Sequence, residues 1–366
     1  MAGASEDPSG SRPEFEVIGG GVIDDRPSER RSRQGADLPG FDLDGSSKPR
    51  TREVLRHAGR AAWQEARESF ASVWFWLACA VGLGLSFGAA AGMVAYGEAN
   101  GWFESAIPEA SYLLTTFWLS LASAILGAVW GFRLKPPSLA VFPAFLAGLL
   151  RGCAFGIPAG IVLLILGSNV GGPVELVAPA VVVMVGEAAL FGLIGAGSRA
   201  CFAKAAPGAV LTTVLLAILC MGNVVTTVFL IPRMEVIDQV SVPINVQRDK
   251  SGRVTSFECV GAFRSESVVH TERVAWLTAS NPAVLLGSFA ANVVPPENDV
   301  AWVLIGFQAA ADGPYWDTPC IGGVESDAIS PAPPLWITGL AGQLVVVALV
   351  VVPGRWLAAR RISPAS

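Results

Sequence analysis

Few side chains in this chain of 366 residues could do chemistry, and they are widely spaced. Of the six cysteines, Cys259 and Cys320 alone fall in a polar block, residues 232–334. If that block faces an oxidising compartment, the two can form a disulfide. It would close a loop of about 60 residues and stabilise the block by about 4 kcal/mol on a chain-entropy basis. Two free thiols are the alternative. Cys79, Cys153, Cys201 and Cys220 lie in or beside apolar runs and read as small packing residues. Arg151 and Glu187 are the ionisable residues deepest in apolar runs, where charges are costly and usually paired or in contact with water. Arg151 is expected to face Glu187. In the alternative, Arg151 marks a membrane edge, and residues 136–150 form a separate interfacial helix opened by Pro136 and Pro137. Asn223, with Thr212, Thr213, Thr226 and Thr227, reads as an interhelical hydrogen-bonding group.

Other chemistries find no support. The two histidines, His57 and His270, fall on opposite sides of the expected membrane, so no metal site or dyad can use both. No lysine follows a glycine, which excludes the phosphate loop of ATP-hydrolysing proteins. No nucleophile–base pair stands out, so no cofactor and no catalytic role are expected. No broad basic surface is present for nucleic acid.

The elements that must position these residues are apolar. The chain is 52% hydrophobic and 15% charged, with mean hydropathy +0.53. A soluble domain carries about 25% charged residues. A spanning helix needs about 20 mostly apolar residues. Six runs qualify: 72–96, 112–132, 143–168, 174–196, 207–231 and 335–353. The predicted fold class is therefore an all-α polytopic membrane protein of six transmembrane helices, with a small α+β extracytoplasmic insert between the fifth and sixth. Five helices occupy 72–231, the insert 232–334, and the sixth helix 335–353. Residues 1–50, poor in large apolar side chains, are expected to be a disordered tail. Residues 51–71 read as a basic amphipathic helix on the lipid surface, or as a plain helical extension of the first span, with 354–366 as a short C-terminal tail.

Charge orients the spans. Arg50, Arg52, Arg56, Arg60 and Arg67 precede the first; Arg133 and Lys135 follow the second; Arg199 and Lys204 follow the fourth; Arg355, Arg360 and Arg361 follow the sixth. The other short connections hold only Glu98, Glu104, Glu109 and Glu175. The positive-inside rule then places both termini in the cytoplasm and the polar block outside. The use of Arg in place of Lys, which occurs only at Lys48, Lys135, Lys204 and Lys250, suggests a GC-rich bacterial genome. Glycines repeat at every fourth position in the first span (Gly84, Gly88, Gly92) and in the third (Gly148, Gly152, Gly156, Gly160). That spacing suits close helix packing within the bundle, or a dimer face.

Within the polar block, SVPINVQRD-KSG-RVTSFECV reads as a hairpin turning at Lys250 and Ser251. TERVAWLTAS reads as a helix with Thr271 as N-cap, and NPAVLLGSFAANV as a short apolar helix opened by Asn281–Pro282. A further helix is expected over 299–311. The stretch WLTASNPAVLLGSF, Trp276 to Phe289, with the PPLWITGL lead into the last span, resembles the membrane subunit of type-2 ABC exporters. The resemblance implies a separate ATP-binding cassette subunit docking on 51–71 and the 133–142 loop, and a homo- or heterodimer of permeases in membrane lipid. The chain departs from simpler members in its long insert and tail. The reading of a different class is a membrane-anchored assembly or sensory protein whose insert binds a partner.

Overall fold

A computed structural model describes residues 51–101, 108–134, 140–249, 254–298, 300–316, 318–322 and 332–362. The expected tail 1–50, the hairpin turn at Lys250 and Ser251, and the core of the 133–142 loop lie outside the described residues. Helix α1 (Thr51–Phe70) runs into α2 (Val73–Ala99), followed by α3 (Pro108–Phe132) and α4 (Val141–Val170). A short 3-10 turn leads into α5 (Val177–Cys201). The fifth crossing is composite: α6 (Ala205–Ala217), a π-turn at Ile218–Gly222, and α7 (Asn223–Leu230). The sixth is α11 (Leu335–Ile362). Six helical segments are thus long and apolar enough to cross a membrane, as expected. Each runs several residues past its sequence-based bounds. The last continues through Pro353 to Ile362, so most of the expected C-terminal tail is helix.

The bundle is built around α5. An apolar 18-residue stretch of Val174–Cys201 is 67% buried, whereas those of Val73–Ala99 and Ala205–Met234 are each 17% buried and lie on the flanks of the bundle. Small residues allow the close contacts. A Cβ on Gly131 would lie 1.9 Å from the Gly192 carbonyl oxygen, and one on Gly195 would lie 2.1 Å from that of Ala128, so α3 and α5 touch backbone to backbone. The glycine repeat of α4 behaves as expected: Gly148, Gly152, Gly156 and Gly160 abut Ala189, Val185 and Val181 of α5. The repeat of α2 does not. Gly84, Gly88 and Gly92 have no neighbour within 4 Å and lie on the outer surface.

Between α7 and α11 the chain leaves the bundle and partly returns. Strands β1 (Glu235–Arg248) and β2 (Val254–Val269) form an antiparallel hairpin, longer than expected because Glu235–Val240 pair with Arg264–Val269. Helix α8 (Glu272–Thr278) leads down and α9 (Pro282–Ala290) leads back; α10 (Ala301–Asp312) then covers them. Thr271 precedes α8 but makes no side-chain cap bond, contrary to expectation. Helix α9 belongs to the bundle core: Leu285, Leu286 and Ala290 share one apolar cluster with Leu119, Phe155, Leu163 and Met184. Six crossings place α1 and the far end of α11 at one end of the bundle. The hairpin and α10 sit at the other.

Candidate functional site

The deepest polar groups gather at the tip of the α8–α9 re-entrant pair. Asn281 is 2% exposed and caps α9: its Oδ1 accepts from the amides of Ala283 (2.9 Å) and Val284 (3.3 Å). Proline at the next position suits a helix start, where an amide would lack a partner. The other end of the Asn281 side chain reaches the fifth crossing, where Nδ2 donates to the Cys220 carbonyl at 2.7 Å. That carbonyl lies in the π-turn, whose widened ring leaves it open to a side-chain donor. Ser280 ties the tip to two crossings: Asn223 Nδ2 donates to its hydroxyl (2.8 Å), and Gln343 Nε2 donates to its carbonyl (3.1 Å). From α3, Ser120 Oγ donates to the Pro282 carbonyl at 3.1 Å.

Glu187 sits on the far side of Gln343. Its carboxyl, 2% exposed, accepts from Gln343 Nε2 at 2.8 Å through Oε1. Glu187 Oε2 and Gln343 Oε1 are buried without a hydrogen-bond partner. Leaving a buried acceptor unpaired costs about 1–3 kcal/mol, and more for a charge. Glu187 lies near the middle of Val174–Cys201, Cys220 near the middle of Ala205–Met234, and Gln343 a little over two turns into α11. The node is therefore well inside the apolar slab.

Arg151 and Glu187 do not meet, which corrects the expected pair. Arg151 turns toward α1: Nε donates to Ser69 Oγ (3.0 Å) and a terminal nitrogen donates to the Glu65 carbonyl (3.3 Å). The separate helix over 136–150 is not seen either, because Arg151 lies inside the continuous α4. Ala58, Ala62 and Ala66 of α1 are buried, and Leu55 and Trp63 face outward, so the helix lies on protein along one stripe and offers another to lipid. Burial pushes the Glu65 carboxyl up, and the Arg151 charge opposes this.

The insert holds the remaining candidates. Cys259 and Cys320 form a disulfide with Cα atoms 5.7 Å apart and a sequence separation of 61. It pins β2 to the return segment, beside the small cluster of Val240, Val268 and Ile321. Trp276 is exposed, with its indole donating to the Arg273 carbonyl, and takes no part in the Asn281 node. His270 bridges two carboxylates: Nδ1 meets Glu272 Oε1 at 2.7 Å and Nε2 meets Asp238 Oδ2 at 2.8 Å. Both ring nitrogens face carboxylate oxygens, and the protonated ring, which donates from both, satisfies the two together. Burial works against this charge, but the bonds to Glu272 and Asp238 outweigh it and hold the ring above its ordinary value. A groove of about 400 Å³ runs between β2 and α10, lined among others by Ser267, Ala310 and Trp316.

Sequence reasoning singled out Asn223, Asn281, Pro282 and Glu187, and the structure brings all four to one node. It missed Gln343 and Ser280. The lone amide in the apolar run of α11 was the available signal for Gln343; nothing local marks Ser280. Among the described residues no cluster of His, Cys, Asp and Glu could hold a metal ion. No family model, curated protein or solved structure matches the chain.

Proposed function

We propose that this protein is the permease subunit of an ATP-driven exporter in a bacterial cell membrane, with both termini cytoplasmic and the insert outside. The observation that carries the reading is the α8–α9 pair, which enters the bundle from the insert's end and is held there by side-chain bonds to α3, the π-turn and α11 and by the apolar packing of Leu285, Leu286 and Ala290. An element seated that way can withdraw without breaking any crossing, and so can open a path toward the outer face. At the other end, α1 is bonded to α4 through Arg151, and Arg361 donates to the Ala200 carbonyl, joining α11 to α5. Motion imposed there would reach the spans that seat α9. The chain lacks a phosphate-binding loop, so the reading requires a separate ATP-binding cassette subunit, docked on α1 and its neighbouring loops. Two copies of the permease, or one copy with a related chain, would complete the assembly.

The orientation follows from the basic residues. Arg56, Arg60, Arg67, Arg133, Arg199 and Lys204 cluster at the α1 end, and Glu98, Glu109 and Glu175 at the other. The disulfide fits an oxidising exterior.

Purification in mild detergent from its native host, followed by an ATPase assay of the eluate, tests the reading. An ATP-hydrolysing subunit in stoichiometric amount, lost when Arg56 and Arg60 are changed to Glu, is expected. An eluate without it overturns the reading. One observation favours a second: the hairpin exposes Ile237 (74%), Phe263 (55%) and Val242 (49%), which suits a membrane-anchored protein whose insert binds a partner. Loss of such a partner on Phe263→Ser, with no ATPase present, would support it.

A further inference from the structure

We propose that Glu187 is a membrane-embedded proton-binding site whose occupancy is linked to the seating of α9. The argument is an inventory of donors and acceptors and stands apart from the ATPase reading. Glu187 Oε1 accepts from Gln343 Nε2, the same nitrogen donates to the Ser280 carbonyl, and Asn281 Nδ2 is committed to the Cys220 carbonyl. Two acceptors then remain, Glu187 Oε2 and Gln343 Oε1, both buried and both unpartnered. The node lacks one donor, and a proton on Oε2 supplies it. A metal cation fits less well. Oxygen-bound cations take about six or more ligands, and the node offers two free ones.

Among the described residues, the surroundings give no other way to neutralise the carboxylate. Where α4 packs on α5 it presents Gly148 and Gly152; α3 presents Gly127 beside Ala188. The crossing opposite contributes the Cys220 thiol, within electrostatic reach but carrying no positive charge. Arg151 is engaged with α1. The partial positive charge at the start of α9 is taken up by Asn281 Oδ1.

The link to α9 passes through Gln343, which donates to both Glu187 and the residue before the α9 cap. A bare carboxylate there needs water. Water reaches Glu187 when Ser280 and Asn281 lift away; the Oε2–H bond then breaks, water takes the proton as hydronium, and Glu187 keeps the electron pair as a hydrated carboxylate. By reciprocity, unseating α9 promotes release and protonation promotes seating.

Two measurements on the full chain in lipid nanodiscs test this. Infrared spectroscopy at neutral pH should show a carboxylic-acid C=O band that shifts with ¹³C-glutamate and disappears in Glu187→Gln. Deuterium uptake over residues 282–290, corrected for intrinsic exchange, should rise several-fold with pH in the wild type. It should stay low at every pH in Glu187→Gln. No acid band, a flat wild-type profile, or a variant that tracks the wild type overturns the proposal. So does α9 protection that depends on sodium ion at fixed pH. Should the variant fail to fold, the labelled wild-type band still decides.

Discussion

Single side chains decide how the two ends of this protein respond to charge. At the insert, His270 holds Asp238 of β1 and Glu272 of α8 together, and so joins the hairpin to the re-entrant pair. The folded ring keeps its proton more tightly than the unfolded chain, whose histidine titrates near 6.5. The stabilisation is therefore complete below about pH 6.5 and disappears as pH rises through the folded value. Thermal unfolding of the purified protein between about pH 5 and about pH 8 should show the insert melting earlier at the alkaline end. His270→Gln should flatten that dependence; an unchanged profile would remove His270 as its source. Within the bundle, Arg151 and Glu187 serve different neighbours, α1 and Gln343. Arg151→Glu removes two hydrogen bonds from a charged donor, each worth about 1.5–3 kcal/mol, and sets like charge near Glu65 and Glu68. Adding Glu187→Arg should not restore stability but lower it further. Rescue in a double-mutant melt would show that the two charges do meet.

At the scale of elements, the tip of α8–α9 depends on close backbone approach. A Cβ on Gly339 would lie 2.0 Å from the Ala279 carbonyl oxygen, whereas one on Gly342 would meet Ser280 at 3.5 Å, an ordinary contact. Gly339→Ala should thus destabilise by roughly 1–3 kcal/mol, the range for overpacking, and raise deuterium uptake in α8 and α9. Gly342→Ala should leave both unchanged. Equal effects would show that α11 does not seat the re-entrant pair. The start of α9 was legible in the chain because its signals are local: Asn281 and Pro282 are adjacent, and their roles follow from cap chemistry alone. The spans were legible for the same reason, each being a continuous apolar run. The node was not, because its members lie far apart in sequence, with Gln343 156 residues from Glu187. The π-turn has no composition of its own. The pairing of Arg151 with Glu187 was inferred from charge alone, whereas α1 supplies the real partner.

For the molecule as a whole, the fold separates two kinds of work. One end gathers α1, the basic connections and the Arg361 contact to α5. The other carries a disulfide-pinned hairpin and sends α8–α9 back toward the middle of the bundle, where the Glu187 carboxyl keeps a buried oxygen without a hydrogen-bond partner. Every functional reading offered above needs those ends on opposite faces of the membrane. The most direct measurement is cysteine labelling in intact cells with a membrane-impermeant thiol reagent, after Cys79, Cys153, Cys201 and Cys220 are changed to alanine. Ser265→Cys in the exposed part of β2 should label at once, and Arg56→Cys in α1 only after the membrane is permeabilised. Labelling of both from outside, or of Arg56→Cys alone, would contradict the account.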